Sequence, residues 1–461
     1  MAQWLLVFLI TVCGAEAWPQ IALYDSLGGR RLEPGVTDQQ IQDLQGRARK
    51  TPDDYAVHDK LGAAFFQKAR ETGDVAYYDL AEKALKRALS LVPQDFRAAD
   101  PLVHIALVYM GEHRFSDALS STRKAIGLGS GSLAAFAIEG DAYTDMGDYD
   151  QAAAAYHAMQ ILGRATASPL TVAYMSDSRV AYLAFLHGDT GEAIRLMKSA
   201  ITAALQSNVP EENLAWLYFE LGERFFQSGD LANAESSYQS GIAVDPDHYR
   251  CLAGLAKVRA AQGKLEESIR LYRRSTAIVP SPVYVEELAE VYQQGGRLGE
   301  AQRQWDLIEY IGKLNQLNQV LANRELALFD AEQGIRLPDA LKLAAKELEV
   351  RHDIYTWDTL AWVLYKNGRL QEATEAIDKA LGLHTNDSLL LFHAGMIYHA
   401  QARDSQAENF LKHALKSNPH FHIFHAAAAS RTLEEIAESR RQPMQSGGTR
   451  NGDSGSMNAA R

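Results

Sequence analysis

Apolar side chains recur at i, i+3 and i+4 along most of the chain, in runs interrupted by polar turns that carry glycine or proline. This period predicts amphipathic helices, each with one buried face. Glycine closes many first runs, as in TDMGDYDQA (144–152), QSGDLANA (227–234) and KNGRLQEA (366–373). Proline closes several second runs, where its ring and missing N–H stop a helix. The elements therefore come as helix pairs.

The pairs repeat. A small residue early in each second helix stands at Ala81, Ala118, Ala152, Ala193, Ala234, Ser268, Ala301, Ala340, Ala373 and Ala407, spaced 33 to 41 residues apart. Twelve residues before these anchors stand Gly62 (once a short insertion is removed), Ala106, Gly140, Ala181, Gly222, Ala256, Ala289, Leu328, Ala361 and Gly395. Three residues on come the aromatics Phe65, Tyr109, Tyr143, Phe225, Tyr292 and Tyr398. Seven after the anchor come Ala88, Ala125, Ala200, Gly241, Ala380 and Ala414, and twelve after it Pro93, Pro246, Pro280 and Pro419. Small residues are what closely crossing helices need at their contact. None of the 13 prolines is expected inside a repeat helix.

The unit L-G…Y/F…A…Y/F…A…P over about 34 residues resembles the tetratricopeptide repeat, a helix–turn–helix module. The copies at 216–246 and 355–381 carry it best. The resemblance implies an all-α fold, a right-handed α-solenoid of about ten such repeats across 53–419. Residues 18–52 read as an irregular lead-in and a capping helix opened by Thr37-Asp38-Gln39-Gln40, residues 420–441 as a C-terminal capping helix, and 442–461 as a disordered tail. Departures are expected at an insertion in the first unit, at longer connections near 164–170 and 206–212, and at an extra helical stretch over 302–320.

The first 17 residues are an address. Residues 4–12 (WLLVFLITV) form an apolar run too short for the roughly 20 residues that span a bilayer, and Ala15-Glu16-Ala17 is a cleavage pattern ahead of Trp18. Cys13 offers lipid attachment instead, but bulky Val12 stands where a small residue is usual, and no Lys or Arg precedes the run. The reading is a signal peptide cleaved after Ala17, leaving a mature chain with no transmembrane span. With the look of the repeats, this points to export to the periplasm or envelope of a bacterium.

Charge and chemistry narrow the partners. A net charge of −12 argues against nucleic acid, and two Cys cannot make a disulfide framework. No catalytic signature stands up. GLGSGS (127–132) falls where the second unit hands over to the third, and Gly263-Lys264 is a repeat turn. His422 and His425, in HFHIFH, stand one helical turn apart, but no Cys or carboxylate is near in sequence to complete a metal set. The simpler reading makes them polar residues alternating with core Phe421 and Phe424, with no metal and no cofactor. Cys251 reads as a packing residue.

The resemblance further implies that first helices line a concave groove, here with Phe66, Tyr182, Phe185, Phe219, Glu223, Phe226, Glu286, Glu290, Trp362, Tyr365, Phe392 and Met396. The Lys and Asn clamp by which some members hold an acidic C-terminus is absent, since Asp59 and Asp141 stand there. The expected function is a non-enzymatic exported scaffold for a protein or peptide segment, apolar with neutral or basic character. The alternative is an accessory or structural subunit of an envelope or polysaccharide export system, touching glycan through exposed Trp and Tyr.

Overall fold

A computed structural model describes residues 36–129, 131–207, 209–317 and 324–441. The expected signal peptide, lead-in and tail lie outside them. Among the described residues there are 22 α-helices and no strand. Helix α1 (Val36–Lys50) precedes ten pairs. Units one to four are α2 (Tyr55–Thr72) with α3 (Ala76–Leu91), α4 (Ala99–Gly111) with α5 (Phe115–Gly127), α6 (Leu133–Asp145) with α7 (Tyr149–Thr166), and α8 (Pro169–Leu186) with α9 (Thr190–Gln206). Units five to seven are α10 (Glu211–Gln227) with α11 (Leu231–Val244), α12 (Tyr249–Ala261) with α13 (Leu265–Ile278), and α14 (Pro282–Gln294) with α15 (Leu298–Leu317). Units eight to ten are α16 (Arg324–Gln333) with α17 (Leu337–Glu347), α18 (Ile354–Lys366) with α19 (Leu370–Ala380), and α20 (Ser388–Ala400) with α21 (Asp404–Ser417). Helix α22 (His425–Arg441) closes the array.

Side-chain size fixes the register. All ten anchor residues are sealed at 0% exposure, so the frame chosen on sequence is the packing frame. Nine of the ten small residues facing them are buried; the exception is half-buried Leu328 in unit eight. Gly140 shows why: a Cβ there would sit 2.2 Å from Cε1 of Tyr156. Within units three to five a Gly-Asp pair makes the turn. Gly147 adopts a φ of +75°, and Asp148 then caps α7 by accepting from the Gln151 N–H. The pair recurs at 188–189 and 229–230. Pro93, Pro246, Pro280 and Pro419 each stand two residues beyond a second helix. Four other prolines correct the expectation that none would be helical. Pro169, Pro282, Pro338 and Pro101 lie in the first turns of α8, α14, α17 and α4, where a missing N–H costs no hydrogen bond.

First helices of successive units pack on one another and form the inner wall. The solenoid then meets itself. The loop before unit nine lies on the turn of unit three: Arg351 reaches Asp145 at 2.7 Å, the His352 N–H donates to the Asp145 carbonyl, and the Ile354 N–H donates to the Tyr149 hydroxyl. The loop before unit ten meets unit four, with Asn386 Nδ2 donating to the Gly188 carbonyl at 2.6 Å. The segment after unit ten meets unit five, with Asn418 Nδ2 donating to the Phe226 carbonyl at 2.8 Å. Each contact joins elements six units apart, so one superhelical turn rests on the next. One buried apolar cluster accordingly runs from Ile41 to Ile436.

Local departures are smaller than expected. The insertion of unit one is absorbed into the ends of α2 and α3, and the connection near 164–170 shrinks because α7 runs to Thr166. The extra stretch over 302–320 is the continuation of α15 to Leu317, and the C-terminal helix starts at His425, after an irregular crossing segment. No helix among the described residues is long and apolar enough to cross a membrane.

Candidate binding surface

The twelve residues expected to line the groove sit on first helices, as expected, but six of them do not present their rings to solvent. Phe66, Phe185, Phe219, Phe226, Trp362 and Phe392 are buried. Their partners come from the same chain. Phe185 lies under the Arg224 guanidinium at 3.9 Å and Phe226 under the Lys257 ammonium at 4.7 Å. Phe66 meets Tyr78, and Phe219 meets Tyr238. Trp362 stacks on His393 at 4.0 Å, and Phe392 on His425 at 4.6 Å. Tyr182, Glu223, Glu286, Glu290, Tyr365 and Met396 are half-buried. These rings are therefore covered by side chains of their own and adjacent units and of α22, and the segment 419–423 lies beside α14.

What remains is an acidic centre. Glu286, Glu287 and Glu290 project from α14, and Oε1 of Glu286 and Oε2 of Glu287 are sealed from solvent with no hydrogen-bond partner. Burial pushes the Glu287 carboxyl up to about 7, Lys257 opposing and Glu223 adding to the rise. Burial, then the charges of Glu290 and Glu332, raise Glu286 as well. At Glu223, Lys257 Nζ at 2.9 Å and the Tyr238 hydroxyl outweigh burial and hold its carboxyl low. Beside these carboxylates lies a cavity of about 430 Å³, bounded by Lys257, Tyr272, Glu287 and Glu290 on one side and by Phe421 and His422 on the other.

The C-terminal histidines face carboxylates of other units. His422 and His425 stack at 3.9 Å and, like Phe421 and Phe424, are half-buried, so polar and core positions do not alternate here as expected. The segment before His425 is irregular, so a helical alternation did not apply to it. His422 Nε2 lies 3.3 Å from Glu290, and His425 Nε2 lies 3.3 Å from Glu332 on α16. Burial lowers the His422 imidazole, but Glu290, with Glu332 and Glu287 behind it, outweighs burial and raises it. Burial and the neighbouring His422 push His425 down to about 4. The carboxylate missing from the local sequence thus arrives from unit eight, and a third imidazole, His393, from α20. One ligand atom each from Glu332, His393 and His425 lie within 4.8 Å of one another.

Elsewhere, buried charges are paired for structure. Asp59 pairs with His104 at 2.7 Å, and Asp141 with Arg179 at 2.9 Å and the Tyr156 hydroxyl at 2.8 Å, so neither carboxylate faces a ligand. Cys251 is fully buried and burial pushes its thiol up, away from reactivity. The 127–132 stretch connects α5 to α6, two helices, which is not the setting of a phosphate cradle.

Sequence profiles of the tetratricopeptide repeat match residues 219–281 and 390–421. A curated relative, Tetratricopeptide repeat protein 8 of Caenorhabditis elegans, is 24% identical over 211 residues, which is 45% of this chain and 41% of the relative's length. The match therefore spans less than half of that protein. Among solved structures, yeast Tom70 aligns over 88% of this chain and 97% of its own, with 13% identity and a TM-score of 0.38. The hetero-tetramer Cut9–Hcn1 of the APC/C aligns over 90% and 98%, with 13% identity and a TM-score of 0.31. A repeat protein of Parabacteroides merdae aligns over 57% and 99%, with 18% identity and a TM-score of 0.33. Residues 219–281 and 390–421 are thus similar in sequence to the tetratricopeptide repeat, and the ten helix pairs of the described residues share one packing register.

Proposed function

We propose that the chain is a non-enzymatic scaffold that binds a protein or peptide segment on its inner wall, at the cavity beside α14. The observation that carries this reading is the pair of acidic side chains, Glu287 and Glu290, on the wall of that cavity. The two acidic groups make that wall complementary to a Lys or Arg side chain entering the cavity. Aromatic Tyr272 and Phe421 on its walls suit the apolar neighbours of such a residue. The partner is therefore an apolar segment carrying a basic residue. Trp216 and Trp362 are buried, and Trp305 and Trp357 half-buried, so the described indoles favour a peptide over a sugar platform. Export under the leader at 4–12 and cleavage after Ala17 complete the reading; a secreted or envelope-fraction protein whose first residue is Trp18 is the expected product.

A peptide array tests the site. Apolar peptides with a central Lys should be retained, and the same peptides with Glu should not. The double variant Glu287→Gln with Glu290→Gln should weaken retention at least tenfold. Equal binding of Lys and Glu peptides, or retention unchanged in the double variant, defeats the proposal.

A further inference from the structure

The geometry points to a divalent metal site, zinc by its ligand types, built from Glu332, His393 and His425 at the junction of units eight and ten with the C-terminal cap. The three residues come from α16, α20 and α22 and stand far apart in sequence. His425 Nε2 and Glu332 Oε2 are 3.3 Å apart. Ligands at about 2.0–2.1 Å from a tetrahedral zinc are separated by about 3.4 Å, so this pair already spans one edge of the tetrahedron. The 4.8 Å limit on the remaining separations leaves a contraction of roughly 1.4 Å at most, within the reach of side-chain rotation.

His393 is the most telling member. Its Nδ1 lies 2.9 and 3.0 Å from the two oxygens of Asp358, so the ring proton sits on Nδ1 and the lone pair on Nε2. That Nε2 is buried and has no hydrogen-bond partner, on a side chain only 1% exposed. An imidazole oriented by a carboxylate through one nitrogen, with the other aimed at a cluster of ligand atoms, is the arrangement that metal-bound histidines adopt. Trp362 stacks on His393 and Phe392 on His425, which orients the two imidazoles.

Lys366 is the competing cation. Its Nζ is 3.8 Å from Glu332 Oε2 and 5.0 Å from the Trp362 ring, on which it can remain when a metal takes the carboxylate. Three protein ligands leave a fourth position for water. Metal at this point ties the cap to units eight and ten.

Zinc titration of chelator-dialysed full-length protein by calorimetry tests the site, with Co²⁺ absorption as a second readout on the unmodified chain. The expected result is one equivalent of zinc, a tetrahedral Co²⁺ spectrum bleached by added zinc, and at least a tenfold loss of affinity in Glu332→Gln with His393→Gln. His413→Gln with His420→Gln, which removes two histidines outside the cluster, should retain full uptake. No stoichiometric uptake by the unmodified protein overturns the site, as does uptake undiminished in the first variant or abolished in the second. The Co²⁺ readout stands even where a variant fails to fold.

Discussion

The Tyr238 ring lies between two glycines of neighbouring units. A Cβ on Gly222 would sit 2.4 Å from its Cε1, and one on Gly254 2.3 Å from the same atom. The ring is fully buried and its hydroxyl is tied to Glu223, so it has no direction in which to yield. Alanine at a helical glycine normally gains about 1 kcal/mol of helix propensity, whereas overpacking a filled core costs about 1–3 kcal/mol. Gly222→Ala should therefore lower the urea midpoint. Gly46→Ala, in α1 with nothing within 4 Å of its Cβ position, should raise it. The opposite signs separate close packing from propensity in one experiment. Glu287 supports a second prediction at this scale. Its carboxyl titrates near 7 when folded and near the ordinary 4.5 when unfolded, while facing Lys257, Glu223, Glu290 and Tyr272. A raised carboxyl is favourable below its unfolded pKa, and that advantage disappears as pH climbs through the folded value. At about 1.4 kcal/mol per pH unit, the loss is on the order of 3 kcal/mol across this window. Glu287→Gln should thus be more stable than the parent at pH 8 and no more stable at pH 4, read from urea midpoints at each pH.

At the scale of elements, most of the helix pairing is legible because it is local. The ten anchors are sealed, and the aromatic residues three beyond the facing small positions are buried, since both follow from how the two helices of one unit cross. Proline after a second helix is equally local, and it stands two residues beyond α3, α11, α13 and α21. Where the pattern weakens, the packing weakens with it: Leu328 replaces a small residue and is the half-buried exception. Helix ends were less legible. Proline in a first turn is compatible with a helix, so it marked the junctions at 101, 169, 282 and 338 without saying on which side the helix began. The surroundings of the histidines were not legible for a related reason. HFHIFH spans the end of an irregular crossing and the start of α22, so no single period governs it. The residues that His393 and His425 meet, Glu332 and Asp358, lie in other units, and no spacing motif joins them. The expected groove residues all sit on first helices, but which of their rings stay open depends on side chains of other elements, such as Arg224, Lys257, His393 and His425.

At the scale of the molecule, the decisive contacts are those between one superhelical turn and the next, and they leave little trace in sequence. Asn386 and Asn418 donate to backbone carbonyls of Gly188 and Phe226, groups that every residue carries, across 198 and 192 positions. The Gly147 turn is similarly specific only in space, since a Cβ there would meet the His352 carbonyl at 2.4 Å. A solenoid stabilised by nearest neighbours alone behaves as a spring, whereas these clamps make the turns one body. Each amide removed leaves a carbonyl without its partner and costs about 1 kcal/mol. Asn386→Ala with Asn418→Ala should therefore leave far-UV circular dichroism unchanged, because every helix pair is intact. The same variant should increase the radius of gyration in solution scattering and speed hydrogen exchange in the turns at 186–190 and 227–231, with no change in α2 to α5. Unchanged scattering and exchange would mean that stacked helix pairs alone hold the turns together.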